Sequence, residues 1–462
     1  MILPLLSGTK AAARLKQILS RGAAPSPEIE AKVRAILANV RDRGLPAVTE
    51  YARSLDGLGA KQPLRVAAKT VDAAANKCPK PVQEAIKRAI RQVRAFHERQ
   101  AEESWVLEGA SGQWLGMRVT PLRRVGLYVP GGAGSYPSTV IMNAIPARVA
   151  GVQEIVVVTP CPRGLDPAVA FALRELGIDE IYSVGGAQAV GLLAYGAKGV
   201  ERVDKIVGPS NVWASVAKRE VFGTVDIDNI AGPSEILVCF DDSANPEWVA
   251  ADLLSQAEHG SGFESAVGLT TSTAAAKAVS EAVQRQMETS PRRKELEASL
   301  GRYGLLMVCP SWTEALAIAN RIAPEHAEIM TENVKEILEG LRNAGAIFVG
   351  PWSAESVGDY IAGPNHVLPT SGTARFGSPL GVYDFLKRTS LILYGPQALA
   401  ADGPHISALA DAEGFFHHGE AIRLRLPAAK AAVQPQANAK PTARRARPAS
   451  RPTKVAKPRR TP

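Results

Sequence analysis

Short runs rich in apolar and β-branched residues alternate with helical patterns through the middle of this chain. One series is EIVVVTP, FALRELGI, EIYSV, AQAVGLLAYGA and VDKIVGP, and a second begins at EILVCF and ends at GAIFVG. Strands that are buried on both faces of a parallel sheet read as continuous apolar runs, and the connecting helices cover those faces. The alternation therefore predicts an α/β protein with two sheets of parallel strands.

Helical patterns also precede both series. Segments 27–55 and 71–103 are amphipathic, and the first contains EAKVRAILANVRDRG, whose final Gly44 suits a helix end. The apolar faces of these segments must cover other parts of the fold. The chain is less regular over 103–125, and a helical pattern returns after Asp384. The helices predicted within the second series cover 246–259, 274–287 and 312–322.

The composition is that of an ordinary globular protein, with 462 residues, 46% hydrophobic and 21% charged. This length allows roughly two to four domains. No stretch reaches the roughly 18 consecutive apolar residues of a membrane-spanning helix, and MILPLL is too short for a signal-peptide core. The four cysteines form no Cys-x-x-Cys, which argues against a disulfide framework and a thiolate zinc site. We therefore expect a cytoplasmic protein that does not contact membranes.

The net charge of +9 comes from the C-terminal end. Residues 427–462 hold ten of the 54 Lys and Arg and no Asp or Glu, so the remainder carries 44 basic against 45 acidic residues. This end is rich in Ala and Pro and lacks apolar periodicity, which predicts a disordered tail. Its expected property is weak, non-specific polyanion binding, because it has no aromatic residues that stack on bases.

Three glycine-containing loops follow predicted strands. They lie at 131–135 (GGAGS), 185–188 (GGAQ) and 208–211 (GPSN). None completes the Gly-x-Gly-x-x-Gly fingerprint of a dinucleotide-binding fold, so each one either cradles a phosphate or only turns the chain. Open α/β sheets bind ligands at the carboxyl ends of their strands, and three such loops favour a binding crevice there.

Five of the seven histidines fall in four short polar stretches. In DLLSQAEHG, Gln256 and His259 are three residues apart, which on a helix directs an amide oxygen and an imidazole to one face. Such groups suit a metal site, whereas a lone Gln-x-x-His is commonly a solvated helix face. Both interpretations stay open on the residues alone. The other stretches are PEH at 324–326, GDYIAGPNH at 358–366 and FFHH at 415–418.

The dipeptide Glu325-His326 combines an acid and an imidazole. Such a pair suits proton abstraction and water activation where both side chains face a cleft. Adjacent residues of a regular helix diverge by roughly 100°, so the two groups act on different protons or one of them is a solvated bystander. The residues by themselves leave this choice open.

Eight motifs in a fixed order give a closer comparison. They are VGLYVPGGAGSYPSTVIMNAIPA, VGGAQAVGLLAYG, VDKIVGPSN, IAGPSEILV, DLLSQAEHG, APEHAEIM, GDYIAGPNHVLPT and FGSPLGVYDFLK. Together they closely resemble histidinol dehydrogenase, and the resemblance spans about residues 29–426. It implies an α/β fold with two Rossmann-like, incomplete and doubly wound parallel-sheet domains and small helical N- and C-terminal segments.

The resemblance also implies a domain organisation and a homodimer. In the family the zinc site is completed across the dimer interface, where the partner subunit supplies a C-terminal Glu and His. The resemblance implies an N-terminal arm at 1–24 that forms a small accessory domain with 104–126, and a first α/β domain at 25–103 and 235–378 that carries most zinc and catalytic residues. A second, NAD-binding α/β domain is predicted at 127–234. A C-terminal helical segment at 379–426 is predicted to complete the partner's active site, and the basic tail covers 427–462.

Individual residues match functional positions of the family. The family binds one zinc ion per subunit, although the sequence does not decide between zinc and manganese. The matches are Gln256, His259, Asp359 and His418 for the zinc ion; Glu325 and His326 for general acid/base catalysis; Ser234, His366 and Glu413 for the substrate, together with His326 and the four zinc positions; and Tyr128, Gln188 and Asn211 for NAD.

Three positions depart from the family pattern. Leu45 follows Gly44 where the family often has aspartate, and Gly377 lies in FGSP where FSSP is commoner. Ser210 stands in GPSN where GPGN is usual, beside the predicted cofactor loop. A serine there weakens NAD binding if its backbone needs a positive φ.

The implied activity is the oxidation of L-histidinol to L-histidine with two NAD, through a bound aldehyde, as the last step of histidine biosynthesis. One alternative is another small alcohol, because relatives oxidise substrates that include sulfonated diols; retention of His326, His366 and Glu413 favours histidinol. A second is a zinc hydrolase in which Glu325 activates water without a dinucleotide, which the three loops disfavour. A third is a nucleic-acid-associated protein with a catalytic body.

Overall fold

The computed structural model describes residues 3–21, 26–131, 136–230 and 232–433. Most of the first glycine loop (132–135) and the tail from 434 onward lie outside the described residues. The strands, in chain order, are β1 (Leu5–Leu6), β2 (Trp105–Glu108), β3 (Trp114–Pro121), β4 (Arg124–Tyr128), β5 (Glu154–Val158), β6 (Glu180–Tyr182), β7 (Lys205–Val207), β8 (Asp226–Ile227), β9 (Glu235–Phe240), β10 (Ser265–Thr270), β11 (Gly304–Val308), β12 (His326–Met330), β13 (Ala346–Val349) and β14 (Leu386–Leu393). The helices are α1 (Gly8–Leu19), α2 (Pro27–Arg43), α3 (Leu45–Leu55), α4 (Ala68–Ala75), α5 (Lys80–His97), α6 (Pro137–Ala150), α7 (Pro167–Glu175), α8 (Gly186–Tyr195), α9 (Val212–Val221), α10 (Pro246–Ala257), α11 (Thr273–Thr289), α12 (Arg293–Tyr303), α13 (Trp312–Ile322), α14 (Val334–Gly340), α15 (Glu355–Tyr360), α16 (Pro396–Ala412), α17 (Phe416–Arg423) and α18 (Leu426–Val433).

The first parallel sheet has five strands in the order β6-β5-β4-β7-β8. The chain runs outward from β4 to β6 and then returns to place β7 on the other side of β4, which is a doubly wound arrangement. Alternate strand residues enter separate cores: Leu127 packs with α4–α7 on one face, and Tyr128 packs with α2, α3, α8 and α9 on the other. Burial of both faces explains the continuous apolar runs of these strands.

The second parallel sheet has six strands in the order β1-β11-β10-β9-β12-β13. All five neighbouring strand pairs of this sheet are parallel. Ile236 of β9 packs with α10–α12, whereas Leu237 packs with α1, α13 and α14 on the opposite face. The prediction of an α/β fold with two sheets of parallel strands is confirmed.

Contacts between residues divide the chain into two compact units. The first comprises 1–103 and 119–387 and contains both parallel sheets. The second comprises 104–118 and 388–462, and its described residues include α16, α17 and α18. The third sheet has the order β14-β3-β2, with β2 and β3 antiparallel. The domain boundaries expected from the sequence stay a prediction.

Several predicted elements differ in the structure. The segment 103–125 forms strands rather than irregular chain, and β14 precedes the helices expected after Asp384, because strand pairing in the third sheet overrides weak local preferences. The first seven residues of the predicted tail belong to α18, whose sequence LPAAKAAV favours a helix. The prediction of disorder is therefore wrong for 427–433. In the described part of the chain no helix is both long and apolar enough to cross a bilayer.

Candidate active site

The predicted acid/base pair lies where a central strand of the six-stranded sheet begins. His326 is the first residue of β12, Glu325 precedes it, and both are buried. Glu325 Oε2 lies 3.8 Å from His326 Nδ1. Neither group is therefore a solvated bystander. Ligands of open parallel sheets bind at carboxyl ends of strands, but this pair occupies an amino end.

Hydrogen bonding determines which nitrogen of His326 is available for chemistry. Nδ1 lies 3.0 Å from the backbone oxygen of Glu235, and only a protonated nitrogen can donate to that carbonyl. Nε2 is buried and has no hydrogen-bond partner among the described residues. It lies 3.8 Å from Asp359 Oδ1 and 3.9 Å from Glu355 Oε1. Nε2 is therefore the nitrogen through which His326 can exchange a proton with a bound ligand.

Two carboxylates of α15 face this nitrogen. Glu355 and Asp359 are four residues apart, which places both on one face of the helix. The ligand atoms of His326, Glu355 and Asp359 all lie within 4.8 Å of one another, a spacing at which they can hold a metal ion. Glu355 is also bonded by the Gln256 side chain and accepts a 3.0 Å hydrogen bond from Ser255 Oγ. The predicted ligand Gln256 therefore adjoins the predicted ligand Asp359.

The Gln256–His259 pair is arranged differently from the sequence expectation. The helix α10 ends at Ala257, so His259 lies beyond the helix instead of sharing its face with Gln256. His259 Nδ1 is 3.0 Å from the backbone oxygen of Gln256, which caps that nitrogen and leaves Nε2 of the exposed ring for a ligand. His366 is tied to the same region, because its Nδ1 lies 3.0 Å from the backbone oxygen of Asp359.

Burial and mutual charge shift the pKa values of these groups. Burial raises the pKa of Glu325 to about 8. Burial disfavours the charged form of His326, but the carboxylates of Glu325, Asp359 and Glu355 outweigh it and raise its pKa to about 10. Burial acts to raise the pKa of Asp359, yet the neighbouring His326 and Glu355 outweigh this effect and lower the pKa overall. A bound cation releases protons from such groups, because metal ligands bind deprotonated.

The remaining predicted substrate positions fall into three places. A cavity of about 280 Å³ is lined by His326, Asp359 and His366, among others. Ser234 immediately precedes β9, and its backbone oxygen accepts a 3.1 Å hydrogen bond from the nitrogen of the first residue of β10. Glu413 directly follows α16 and His418 lies on α17; both are exposed residues of the second unit.

The predicted NAD positions meet at the carboxyl edge of the five-stranded sheet. Tyr128 ends β4, and its hydroxyl oxygen accepts a 3.0 Å hydrogen bond from the nitrogen of Gly186 at the start of α8. Gln188 Nε2 donates to Asp56 Oδ2 at 3.1 Å. Asn211 caps α9. A pocket of about 670 Å³ is lined by Asp56, Gly186, Gln188 and Asn211, among others, so two of the three loops border one crevice.

Ser210 does not impose the strain considered from the sequence. Among the described non-glycine residues only Ala323 and Ser371 have a positive φ. The left-handed position of this loop is Gly208, with φ of 118°. The serine is therefore compatible with the backbone of the loop, and its hydroxyl lies 3.0 Å from that of Ser215.

Comparison with known proteins agrees with the sequence resemblance. The family model described as histidinol dehydrogenase matches residues 19–426. A histidinol dehydrogenase of Halalkalibacterium halodurans is 50% identical over 396 residues, which cover 85% of this chain and 93% of that protein. One from Neisseria meningitidis serogroup B is 47% identical over 417 residues, covering 90% and 97%. The crystal structure of histidinol dehydrogenase from Elizabethkingia anophelis has a TM-score of 0.86 at 32% identity and covers 92% of this chain and 98% of that one.

The chain belongs to the histidinol dehydrogenase family. It is thus an oxidoreductase, and membership of a dehydrogenase family argues against the alternative of a zinc hydrolase. The similarity to the Elizabethkingia anophelis structure extends over both parallel sheets, because the match covers nearly the whole described chain. It confirms the fold class that the eight motifs implied.

The structure also adds site residues that the sequence did not indicate. Glu355 lies in the cluster with His326 and Asp359, and Asp56 lines the crevice with the predicted NAD positions. Glu235 contacts both members of the acid/base pair. None of these acids falls in the four histidine-containing stretches that the sequence singles out. For Glu235 the sequence offers one signal of a functional role, which is that a charged residue begins the otherwise apolar strand EILVCF.

Proposed function

We propose that this chain oxidises L-histidinol to L-histidine with two NAD, through bound histidinal, as the last step of histidine biosynthesis. The observation that carries the proposal is the imidazole of His326: its buried Nε2 has no hydrogen-bond partner among the described residues and lies 3.8 Å from Asp359 Oδ1, while its Nδ1 lies 3.8 Å from Glu325 Oε2. A four-electron oxidation of this kind needs a proton acceptor that acts twice and a group that activates water. The two adjacent residues supply both.

The donor set of the site fits a zinc ion. Amide oxygen, imidazole nitrogen and carboxylate oxygen are available from Gln256, His259 and Asp359, and the unpartnered buried atoms beside them favour a bound cation. In the proposal these three residues and His418 of the partner subunit hold one zinc ion per subunit. When bound, the ion would supply Lewis acidity and a binding position for the nitrogen atoms of the substrate. Exposure of Glu413 and His418 supports their contribution to a neighbouring subunit in a homodimer.

The residues of the chain handle the protons of both half-reactions. His326 accepts the hydroxyl proton through Nε2 while the carbinol carbon loses its first hydride to NAD. Glu325 then takes a proton from water, whose oxygen attacks the aldehyde carbon. After releasing the first proton to solvent, His326 accepts a second proton as the hydrated aldehyde loses its hydride to a second NAD, which yields the carboxylate. Hydride acceptance is the chemistry of the nicotinamide, and Tyr128, Gln188 and Asn211 are proposed to bind NAD.

The test is a stoichiometry. Purified, zinc-loaded protein is supplied with L-histidinol and excess NAD, and the absorbance of reduced cofactor is compared with substrate consumed. We expect two reduced NAD per histidinol, loss of turnover with a chelator and recovery with zinc. His405→Asn, a histidine on α16 outside the proposed site, is the matched control and should retain turnover. No reduction by protein that retains zinc would instead point to another small alcohol.

A further inference from the structure

We propose that Glu235, held by Arg21, is a positioning residue that fixes both Glu325 and His326 in their working geometry. This inference rests on the proposed function, in which those two residues carry the acid/base chemistry. Glu235 begins β9 and lies beside β12, since the register pairs Ile236 with His326.

Glu235 and Glu325 bind each other reciprocally. The backbone nitrogen of Glu235 donates to Glu325 Oε2 at 3.0 Å, and the backbone nitrogen of Glu325 donates to Glu235 Oε2 at 3.1 Å. Both side chains are buried, so water does not compete for these bonds. The two bonds fix the carboxylate of Glu325 relative to β9.

The same residue also orients the imidazole. The backbone oxygen of Glu235 accepts from His326 Nδ1 at 3.0 Å, which holds the ring with Nδ1 protonated and Nε2 on the side of Asp359 and Glu355. The nitrogen, the carbonyl oxygen and the carboxylate of one residue therefore contact both members of the pair. A displacement of Glu235 moves Glu325 and His326 together.

The carboxylate of Glu235 is in turn fixed from its other side. Arg21, just beyond the end of α1, forms a buried ion pair with Oε1, and its side chain is only 2% exposed. Ser371 donates its backbone nitrogen to the same oxygen at 3.0 Å. Its φ of 55° is one that residues with side chains rarely adopt, and such strain concentrates at functional sites.

The ion pair has a clear electrostatic consequence. Without the guanidinium of Arg21, the carboxylates of Glu235 and Glu325 would lie close together in a buried space, where like charges repel strongly. With it, Glu235 stays an acceptor for the nitrogens of Glu325 and Ser371. A buried ion pair is weak evidence for stabilisation by itself, whereas three sets of bonds that converge on the acid/base pair indicate a positioning role.

The direct test is Glu235→Gln. The side-chain amide of glutamine has only one acceptor oxygen. Its NH₂ group must therefore face either the donors of Arg21 and Ser371 or the backbone nitrogen of Glu325. Misplacement of catalytic groups by about 1 Å costs roughly 10²-fold in rate. We expect kcat to fall by about that factor with L-histidinol and with L-histidinal, while the KM for substrate and the zinc content per subunit stay unchanged. A fall in zinc content that accounts for the lost activity overturns the proposal.

A double-mutant cycle separates positioning from general stability. If Glu235 acts through Glu325, the loss from Glu235→Gln in the aldehyde half-reaction must shrink when Glu325→Gln is already present. The same fold-loss in both backgrounds overturns the proposal. Arg21→Lys keeps the charge and should retain more activity than Arg21→Met; equal losses with equal melting temperatures also count against it.

Arg124→Met is the matched control. Arg124 is buried at the start of β4, in the sheet that does not contain Glu325 and His326, and it pairs with Glu154 and Glu180 at 2.9 and 2.7 Å. It should lower the melting temperature without changing kcat per zinc-loaded subunit. Full activity of Glu325→Gln and His326→Asn would refute the proposed function and this inference together. Activity lost in those variants but retained in Glu235→Gln would refute the inference alone.

Discussion

The loop at 208–211, one of the proposed NAD loops, rests on a buried ion pair. Lys218 of α9 contacts Asp228, and their side chains are 1% and 2% exposed. Lys218 Nζ also donates to the Gly208 oxygen at 3.2 Å, and Asp228 Oδ2 accepts from the Gly208 nitrogen at 2.7 Å. We predict that Asp228→Asn destabilises the five-stranded sheet and raises the KM for NAD.

The magnitude follows from the charge that the substitution leaves behind. Asparagine still accepts from the nitrogen of Gly208, so the main loss is the partner of a buried ammonium group. Removing one partner of a buried pair costs about 3–5 kcal/mol. At roughly 2–4 °C per kcal/mol for a domain of this size, the melting temperature should fall by about 6–20 °C. The double variant Lys218→Met/Asp228→Asn removes both charges and should recover most of that loss.

Thermal melts of the three proteins and their KM for NAD provide the assay. Glu297→Gln, which breaks the exposed pair between Arg293 and Glu297, should leave both quantities unchanged. A fall of less than about 4 °C for Asp228→Asn would refute the reasoning, since it would mean that the ammonium group is not effectively buried. A double variant that is less stable than Asp228→Asn would refute it as well, because the effect would then arise from packing and not from charge.

Four further predictions concern the proposed site and the rest of the chain. His326→Asn should lose turnover and keep zinc, whereas His259→Asn should lose zinc, as metal analysis and initial rates would show; a fully active His326 variant contradicts the assignment. Glu325→Gln should slow oxidation of histidinal more than that of histidinol in separate assays, and equal slowing would count against its role with water. Burial lowers the pKa of His97, so the unfolded chain binds the proton more readily than the folded protein does. The melting temperature should therefore fall as the pH drops below about 6.5, whereas it should not fall as the pH drops from about 8 to 7. The fall below about pH 6.5 should be smaller in His97→Gln. Deleting residues 434–462, which leaves α18 whole, should leave turnover intact, and a large loss would show that this part of the basic tail takes part in catalysis or assembly.

The parts of the fold that sequence reasoning predicted well are those with a strong local signal. The run EILVCF is the strand Glu235–Phe240, and the helix predicted over 312–322 spans Trp312–Ile322. Both lie in the interior, where burial fixes the apolar pattern. The strand His326–Met330 was not predicted, because its buried His326 and Glu328 make it resemble a polar motif. Its place in the sheet depends on neighbours that lie far away in the sequence.

The candidate site shows the same limit. The residue types near 256, 325 and 359 indicated metal and proton chemistry, because amide, imidazole and carboxylate groups cluster there. Arg21 and Glu235 gave little such signal, since their contact joins positions 214 residues apart. No local pattern contains an interaction of that range. Resemblance to a family supplied individual roles, but the contacts that support those roles required the three-dimensional arrangement.

The two sheets present different backbone groups, and this explains where the acids lie. The amino ends of parallel strands expose nitrogens, and at β9 and β12 the nitrogens of Glu235 and Glu325 bind carboxylates. At the carboxyl edge of the other sheet, helices begin directly after the strands, and the nitrogens of Gly186 and Gly208 bind the oxygens of Tyr128 and Asp228. Backbone nitrogens at the amino edge of one sheet therefore donate to a buried carboxylate base. At the carboxyl edge of the other sheet, the first turns of helices border a crevice. The general rule for open α/β sheets predicts the crevice, but it cannot predict an acid/base pair held by strand nitrogens at the opposite kind of edge.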